Sequence, residues 1–381
     1  MVQLPEKRLT KQPWKITYSE SDPGVNQTTS NVFTLEGFSY LNKLQILLFV
    51  VLLVIYLVIL MGNLLVILLI KLNPSLHTPM YFFLVNLSFL EICFTTSVIP
   101  QLLVHLLAEE KTISVPCCAA QMYVFTAMGL TECCLLAAMA YDRYMAICHP
   151  LHYTTIMSGR VCALLAGASW LIGILVQVIP SMWIFSLPFC GSSHIHHYFC
   201  DAPPMEKMVC ADTTKIKAVG FMVTVLFIMS PFLLILLSYI RIISTILKLP
   251  SSEGRHKAFS TCSSHLMVVI LFYGTALFTY LVPKSSSTTD RDLLISLLNT
   301  IVSPILNPII YTLRNKEVKG ALRNMANSVF LCKWGSQRME MTPLLSRVLG
   351  SIHLRPPTEP SRPVPVAQCP SATRGHCPST D

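Results

Sequence analysis

Five polar side chains interrupt otherwise apolar stretches of this sequence: Asn63, Glu91, Glu132, Ser303 and Asn307. An isolated charge in hydrocarbon costs at least a few kcal/mol, so these residues are expected to converge and satisfy one another. Two carboxylates held close together need a cation, a shared proton, or both. The plainer alternative is a protonated, hydrogen-bonded structural cluster. A second constellation is ionic. Asp142-Arg143-Tyr144 closes a long apolar run within the string MAYDRYMAICHPLHY, residues 139–153. Charge is expensive inside a bilayer and cheap at its edge, so an Asp-Arg pair at that boundary can hold a helix in one state and release it in another. In a third, Asn307-Pro308-Ile309-Ile310-Tyr311, a proline inside an apolar segment removes a backbone hydrogen bond and allows a kink, either as a place to bend or as a static feature.

The cysteines divide by context. Of the fourteen, Cys93, Cys133, Cys134, Cys162 and Cys262 fall inside hydrophobic segments, where a thiol acts as a small buried apolar group. Cys118, Cys190, Cys200 and Cys210 lie at or between segment ends and permit three complete pairings. Cys117 could replace Cys118 or stay free. His194, His196 and His197 with Cys200 offer a metal cluster as another reading, but the spacing lacks a matched second ligand pair, so no metal site is assigned. No zincin pair, Walker loop or nucleophile elbow is present, and an enzyme is not expected.

The elements that must position these residues follow from composition. The 381-residue chain is 53% hydrophobic and 12% charged, about half the charge of a soluble domain. Net charge is +9, but the basic residues are dispersed and the aromatics lie in apolar runs, which argues against nucleic acid as a partner. A bilayer-spanning helix needs about 20 mostly apolar residues. Seven such segments are predicted, at 44–70, 79–104, 118–141, 161–186, 217–246, 258–282 and 293–313. The fold class is therefore an all-α integral membrane protein, a seven-transmembrane helix bundle over 44–313. The first segment is too long and starts too late for a cleaved signal peptide, and serves as a signal anchor.

Basic residues accumulate on cytoplasmic loops. Lys71, Arg160, Lys248, Arg255, Lys257, Arg314, Lys316, Lys319 and Arg323 follow segments one, three, five and seven, whereas Glu109, Glu110, Asp201, Glu206 and Asp212 occupy the opposite loops. The N-terminus is placed outside and the C-terminus in the cytoplasm. Lys7, Arg8, Lys11 and Lys15 oppose this from a distance at which charge has less control. Asn26-Gln27-Thr28 is a glycosylation sequon on the outer side. Residues 1–43 form an outer segment, its first part polar and expected to be disordered, as is the Pro-, Ser- and Arg-rich stretch 331–381. Residues 314–330 alternate basic and apolar positions, as an amphipathic helix on the lipid surface would, with Cys332 beyond it as a palmitoylation candidate.

The string around Asp142-Arg143-Tyr144 resembles the signature following the third helix of vertebrate olfactory receptors, a branch of the rhodopsin-like G-protein-coupled receptors. Further strings resemble the same family in order and spacing: PMYFFL at 79–84, LSFLEIC at 87–93, KAFSTC at 257–262, SHL at 264–266 and PILNPIIY at 304–311. The resemblance covers about four fifths of the chain, from near Asn26 to near Ser328. It implies a multi-pass receptor of the plasma membrane that binds a small, partly hydrophobic odorant and activates a heterotrimeric G protein of the olfactory, stimulatory type, raising cAMP. It pairs Cys118 with Cys200 and Cys190 with Cys210. It puts Glu91, Ser303 and Asn307 at an intramembrane sodium site, to which Glu132 adds a carboxylate and Asn63 a neighbouring polar group. It makes Asp142, Arg143 and Tyr144 the coupling end, with Tyr239, Asn307, Pro308 and Tyr311 as moving partners. Its ligand pocket maps onto Phe125, Thr126, Gly129, Leu130, Tyr273, Ala276, Tyr280 and Thr300. Phe125 stands where amine receptors carry an Asp, so a cationic ligand lacks a counter-charge there. Two rivals are carried: an ion- or proton-coupled transporter using Glu91 and Glu132, although no repeat relates the halves, and a same-fold receptor for a non-odorant ligand.

Overall fold

The computed structural model describes residues 31–38, 44–189, 193–281, 289–314 and 318–324, all within one compact unit that ends at Asn324. Among the described residues, seven helices are long and apolar enough to cross a membrane. They are α1 Gln45–Leu72, α2 Pro79–Leu107, α3 Val115–Cys148, α4 Gly159–Ser186, α5 Thr214–Leu247, α6 Ser252–Leu281 and α7 Thr289–Arg314. The most apolar stretch of α3 is 67% buried against 11% for α5. α3 is therefore the central post, packed on α2, α4 and α5, while α1 closes against α2 and α7. Residues 318–324 are helical; the rest of the expected amphipathic segment, the two polar ends, Asn26 and Cys190 lie outside the described residues.

Proline shapes three of these helices. α2 breaks at Ser97-Val98 into Pro79–Thr96 and Ile99–Leu107, where an unbroken segment was expected. Pro100, in the first turn of the second piece, has no N–H to donate, and a helix start is where that loss matters least. In α5 a π-helical turn at Val225–Met229 precedes Pro231, widening the helix where the proline ring would meet the preceding turn. In α7, Pro308 leaves the Pro304 carbonyl without its helical donor, and Asn63 Nδ2 of α1 supplies one at 3.1 Å. Gly62 makes room for that meeting, since a Cβ there would stand 3.3 Å from Pro308 Cγ.

α3 outruns its predicted end. Asp142-Arg143-Tyr144 lies inside the helix, which continues to Cys148 and stops just before Pro150. The apolar run ends at the triplet, but the backbone does not, because polar residues at a membrane edge remain free to be helical.

One end of the bundle carries a small three-stranded sheet: β1 Val32–Leu35, β2 Thr112–Ser114 and β3 His194–Ile195. β1 is central, antiparallel to β2 (Phe33 opposite Ile113) and parallel to β3 (Leu35 opposite Ile195). Its alternation buries Phe33 and Leu35, which join Ile113, Phe185, Phe189, Ile195 and Cys200 in one apolar cluster. Phe33 meets the Phe189 ring edge-on at 5.4 Å.

Candidate functional site

At the sheet-covered end, the loop before α5 enters the bundle. Cys200 is bonded to Cys118 of α3, and Cys117 is a free, exposed thiol, which decides between the two candidates. Cys210 is also disulfide-bonded. Gln121 fixes the loop from α3: its Oε1 accepts from Cys200 N at 2.9 Å, while Nε2 donates to Ser97 O at 2.9 Å and Gln101 Oε1 at 3.1 Å, at the α2 break. Tyr198 and Phe199, just before the tethered cysteine, are almost wholly buried.

These loop side chains reach the residues expected to form a pocket. Phe199 packs on Phe125 at 4.7 Å between ring centroids, and Phe125 stacks on Phe94 of α2 at 4.7 Å. The Tyr198 hydroxyl lies 3.2 Å from Thr300 Oγ1 of α7. Phe125 and Thr300 are thus joined through the loop. The other α3 candidates divide by helical geometry: Gly129 shares the Phe125 side and faces open space, whereas Thr126 and Leu130 lie about 100° and 140° around the helix from it. Thr126 turns its hydroxyl back to Met122 O at 2.8 Å, and Leu130 is buried. Tyr273 is buried against Phe232, ring centroids 4.7 Å apart, with Glu132 and Cys133 among its neighbours. Ala276 is half-buried; the Tyr280 side chain is not among those described.

His194 and His196, two of the residues weighed as metal ligands, instead face the Glu36 carboxylate beside β1, His194 Nδ1 at 3.2 Å and His196 Nδ1 in closer contact. The His197 ring stacks on Tyr198 at 4.7 Å. Among the described residues no group of three or more His, Cys, Asp or Glu is placed to hold a metal ion.

Of the mid-bundle polar residues, Glu91, Glu132 and Asn307 lie together, while Asn63 Nδ2 donates to the Ile59 and Pro304 carbonyls at 3.0 and 3.1 Å. Asn307 Nδ2 donates to Glu91 Oε1, and Glu132 lies close enough to Glu91 for their charges to interact. Asn63, Glu91, Glu132, Ser303 and Asn307 are all buried. Each also presents an oxygen with no hydrogen-bond partner among the described residues: Asn63 Oδ1, Glu91 Oε2, Glu132 Oε1, Ser303 Oγ and Asn307 Oδ1.

At the opposite end, Asp142 is buried and Arg143 nearly so. Arg143 Nε is 3.8 Å from Asp142 Oδ2, and the Tyr153 hydroxyl donates to Asp142 Oδ1 at 2.8 Å. Burial, then the Asp142 charge, pushes the Tyr153 phenol up, so it keeps the proton it donates. Tyr144 is turned aside, its hydroxyl 3.2 Å from His149 Nε2. Tyr239 of α5 bonds across to α6, through its hydroxyl to His265 Nδ1 at 2.8 Å and to Cys262 O at 3.2 Å. Pro308 is buried; the Tyr311 side chain lies outside those described.

The residues that sequence reasoning passed over are Phe94, Gln121, Tyr153, Tyr198, Phe199 and His265. The tyrosine and phenylalanine two and one places before Cys200 carried a usable signal, because a disulfide to the start of α3 must draw them toward the bundle axis.

The olfactory receptor family model matches residues 52–328. Among curated relatives, human olfactory receptor 10A4 is 53% identical over 315 residues, covering 82% of this chain and 99% of the relative. Human olfactory receptor 10A5 is 53% identical over 305 residues, 80% and 96% of the two chains. Human olfactory receptor 10A2 is 54% identical over 280 residues, 74% and 92%.

Proposed function

Because the chain belongs to the olfactory receptor family, we propose that the sheet-covered half of its bundle binds a small, partly hydrophobic odorant and that the Asp142 end then drives nucleotide exchange on a stimulatory heterotrimeric G protein. The protein is a multi-pass odorant receptor of the plasma membrane and not an enzyme. The observation that carries this reading is the family match across residues 52–328, which contains every residue of the three constellations. The sheet-covered end faces outside, in keeping with the acidic loops there and the basic loops at the Asp142 end.

The site works by differential binding to two states. Phe94 and Phe125 give apolar walls, and Thr300 gives a hydroxyl, a lining suited to a neutral ligand held by shape and one or two hydrogen bonds. Phe125 offers no counter-charge to an amine. In the resting arrangement Asp142 holds Arg143, and Tyr239 is bonded to α6. The switch consists of releasing Arg143 and rearranging Tyr239 and the Asn307-Pro308 segment toward it.

The mid-bundle oxygens fit a sodium ion or a shared proton. Of the residues that would hold it, Glu91, Glu132 and Asn307 lie together, and these three with Asn63 and Ser303 each carry an unpartnered buried oxygen among the described residues. A bound ion would supply the positive charge that lets both carboxylates ionise side by side. Asn307, meanwhile, ties Glu91 to α7, and Asn63 ties α1 to the Pro304 carbonyl of α7.

The reading is tested in cells that express the chain with an olfactory-type G protein. Part of a broad volatile panel is expected to raise cAMP, and Phe125→Ala to weaken the effective compounds about tenfold by removing a buried ring. Uptake of a compound without any cAMP response would favour transport and overturn the proposal.

A further inference from the structure

The Tyr198–Thr300 contact has a direction. The Thr300 hydroxyl donates to Ser296 O, one turn earlier, at 2.9 Å. A hydroxyl has one proton and two lone pairs, so toward Tyr198, 3.2 Å away, Thr300 accepts and the phenol donates, with the Ser296 side chain as the phenol's second hydrogen-bond partner. Burial pushes the Tyr198 phenol above its ordinary range, so the proton stays available. Both residues are buried, which makes this a pairing that a replacement must reproduce.

The tyrosine is held in place from the N-terminal side. Phe38 stacks on its ring at 5.7 Å, and Gly37 N donates to His197 O at 3.2 Å. Gly37 has φ +41°, and a Cβ there would stand 3.2 Å from Tyr198 Cβ, so glycine is required for both the turn and the close approach. The next residue, Phe199, lies against Phe125, which is itself stacked on Phe94. The loop thus presents a hydroxyl donor to Thr300 and an aromatic ring to Phe125, one residue apart.

We propose that Tyr198 and Phe199 are a built-in occupant of the pocket, and that the odorant class displacing them is a small alcohol or phenol with an aromatic or cyclic hydrocarbon body. The ligand hydroxyl takes the place of Tyr198 as donor to Thr300, and its ring takes the Phe199 face of Phe125. Ketones and ethers carry acceptors only. To bond Thr300 they must draw its proton away from Ser296 O, so they bind more weakly. This inference rests on the receptor reading above and adds the ligand's chemistry to it.

The test uses volatiles in matched triplets on one cyclic or aromatic skeleton: alcohol, methyl ether and ketone. Each is measured by cAMP dose-response at equal surface expression, beside a general volatile panel. In the wild type the alcohol is expected to be about tenfold more potent than its ether or ketone, the worth of one buried hydrogen bond. Thr300→Val, which keeps shape and removes the acceptor, is expected to level the three. Tyr198→Phe, which keeps the ring and removes the competing donor, is expected to lower the half-maximal concentration of the alcohol or to raise basal cAMP. Ethers or ketones as potent as the alcohols in the wild type would overturn the inference, as would triplets that are silent while donor-free panel compounds are active. A wild type at the surface that answers no compound at all overturns the receptor reading and this inference together.

Discussion

In the proposed mechanism Asp142 is the residue on which the resting state depends. Its buried carboxylate stands 3.8 Å from Arg143 Nε through one oxygen, an ion pair without a hydrogen bond, and accepts the Tyr153 hydroxyl on the other. Asp142→Asn keeps the shape and removes the charge, so Arg143 is released and basal cAMP is expected to rise about fivefold, the lower end of ordinary conformational coupling. Tyr153→Phe should act in the same direction and less strongly. Unchanged basal cAMP in Asp142→Asn at equal surface expression would remove the aspartate from the switch. Asp142 and Arg143 were legible in the sequence, because two opposite charges at the end of an apolar run stand out. Tyr153 was not, since it reaches Asp142 across a turn and leaves no periodic trace. The same holds for Asn63: a polar residue in an apolar helix was visible, but the partner freed for it by Pro308, in the last span, was not.

At the scale of elements, packing depends on close helix contacts that a hydropathy pattern does not encode. Gly173 of α4 sits directly on α3, where an added Cβ would collide with Thr131 Oγ1 and stand 2.7 Å from Ala127 O. Gly173→Ala is expected to destabilise the detergent-purified protein by about 1–3 kcal/mol through overpacking, read as a lower thermal midpoint. Gly167→Ala, on the same helix and facing open space, should leave the midpoint unchanged or slightly raised, since alanine favours the helix over glycine. Equal midpoints for the two variants would refute the contact. The seven spans were legible because twenty apolar residues carry a strong signal. The break in α2 and the π turn in α5 were not, because proline marks a disturbance without saying how the backbone absorbs it. The sheet was least legible: strands of four, three and two residues are too short for alternation to register, and their pairing joins segments far apart in the chain.

For the whole molecule, three sites lie along one bundle: the contacts that Phe125 and Thr300 make with the loop before α5, proposed as the pocket, the buried carboxylate cluster and the Asp142-Arg143 end. α3 runs through all three, carrying Phe125, Glu132 and Arg143 on one continuous helix, while α7 contributes Thr300, Ser303 and Asn307 at the first two. Movement of either helix at the pocket therefore reaches the sites beyond it without an intermediate domain. The central claim, that occupancy at the sheet-covered end is read as nucleotide exchange at the other, is tested most directly with purified receptor in lipid vesicles beside an olfactory-type stimulatory G protein. The measurement is ligand-dependent binding of a non-hydrolysable GTP analogue, using a compound active in cells. Wild type is expected to accelerate exchange when the compound is added, and Arg143→Ala to bind the compound with similar affinity yet leave exchange at the receptor-free rate. Exchange driven equally by Arg143→Ala, or compound binding by the wild type with no exchange, would contradict the account.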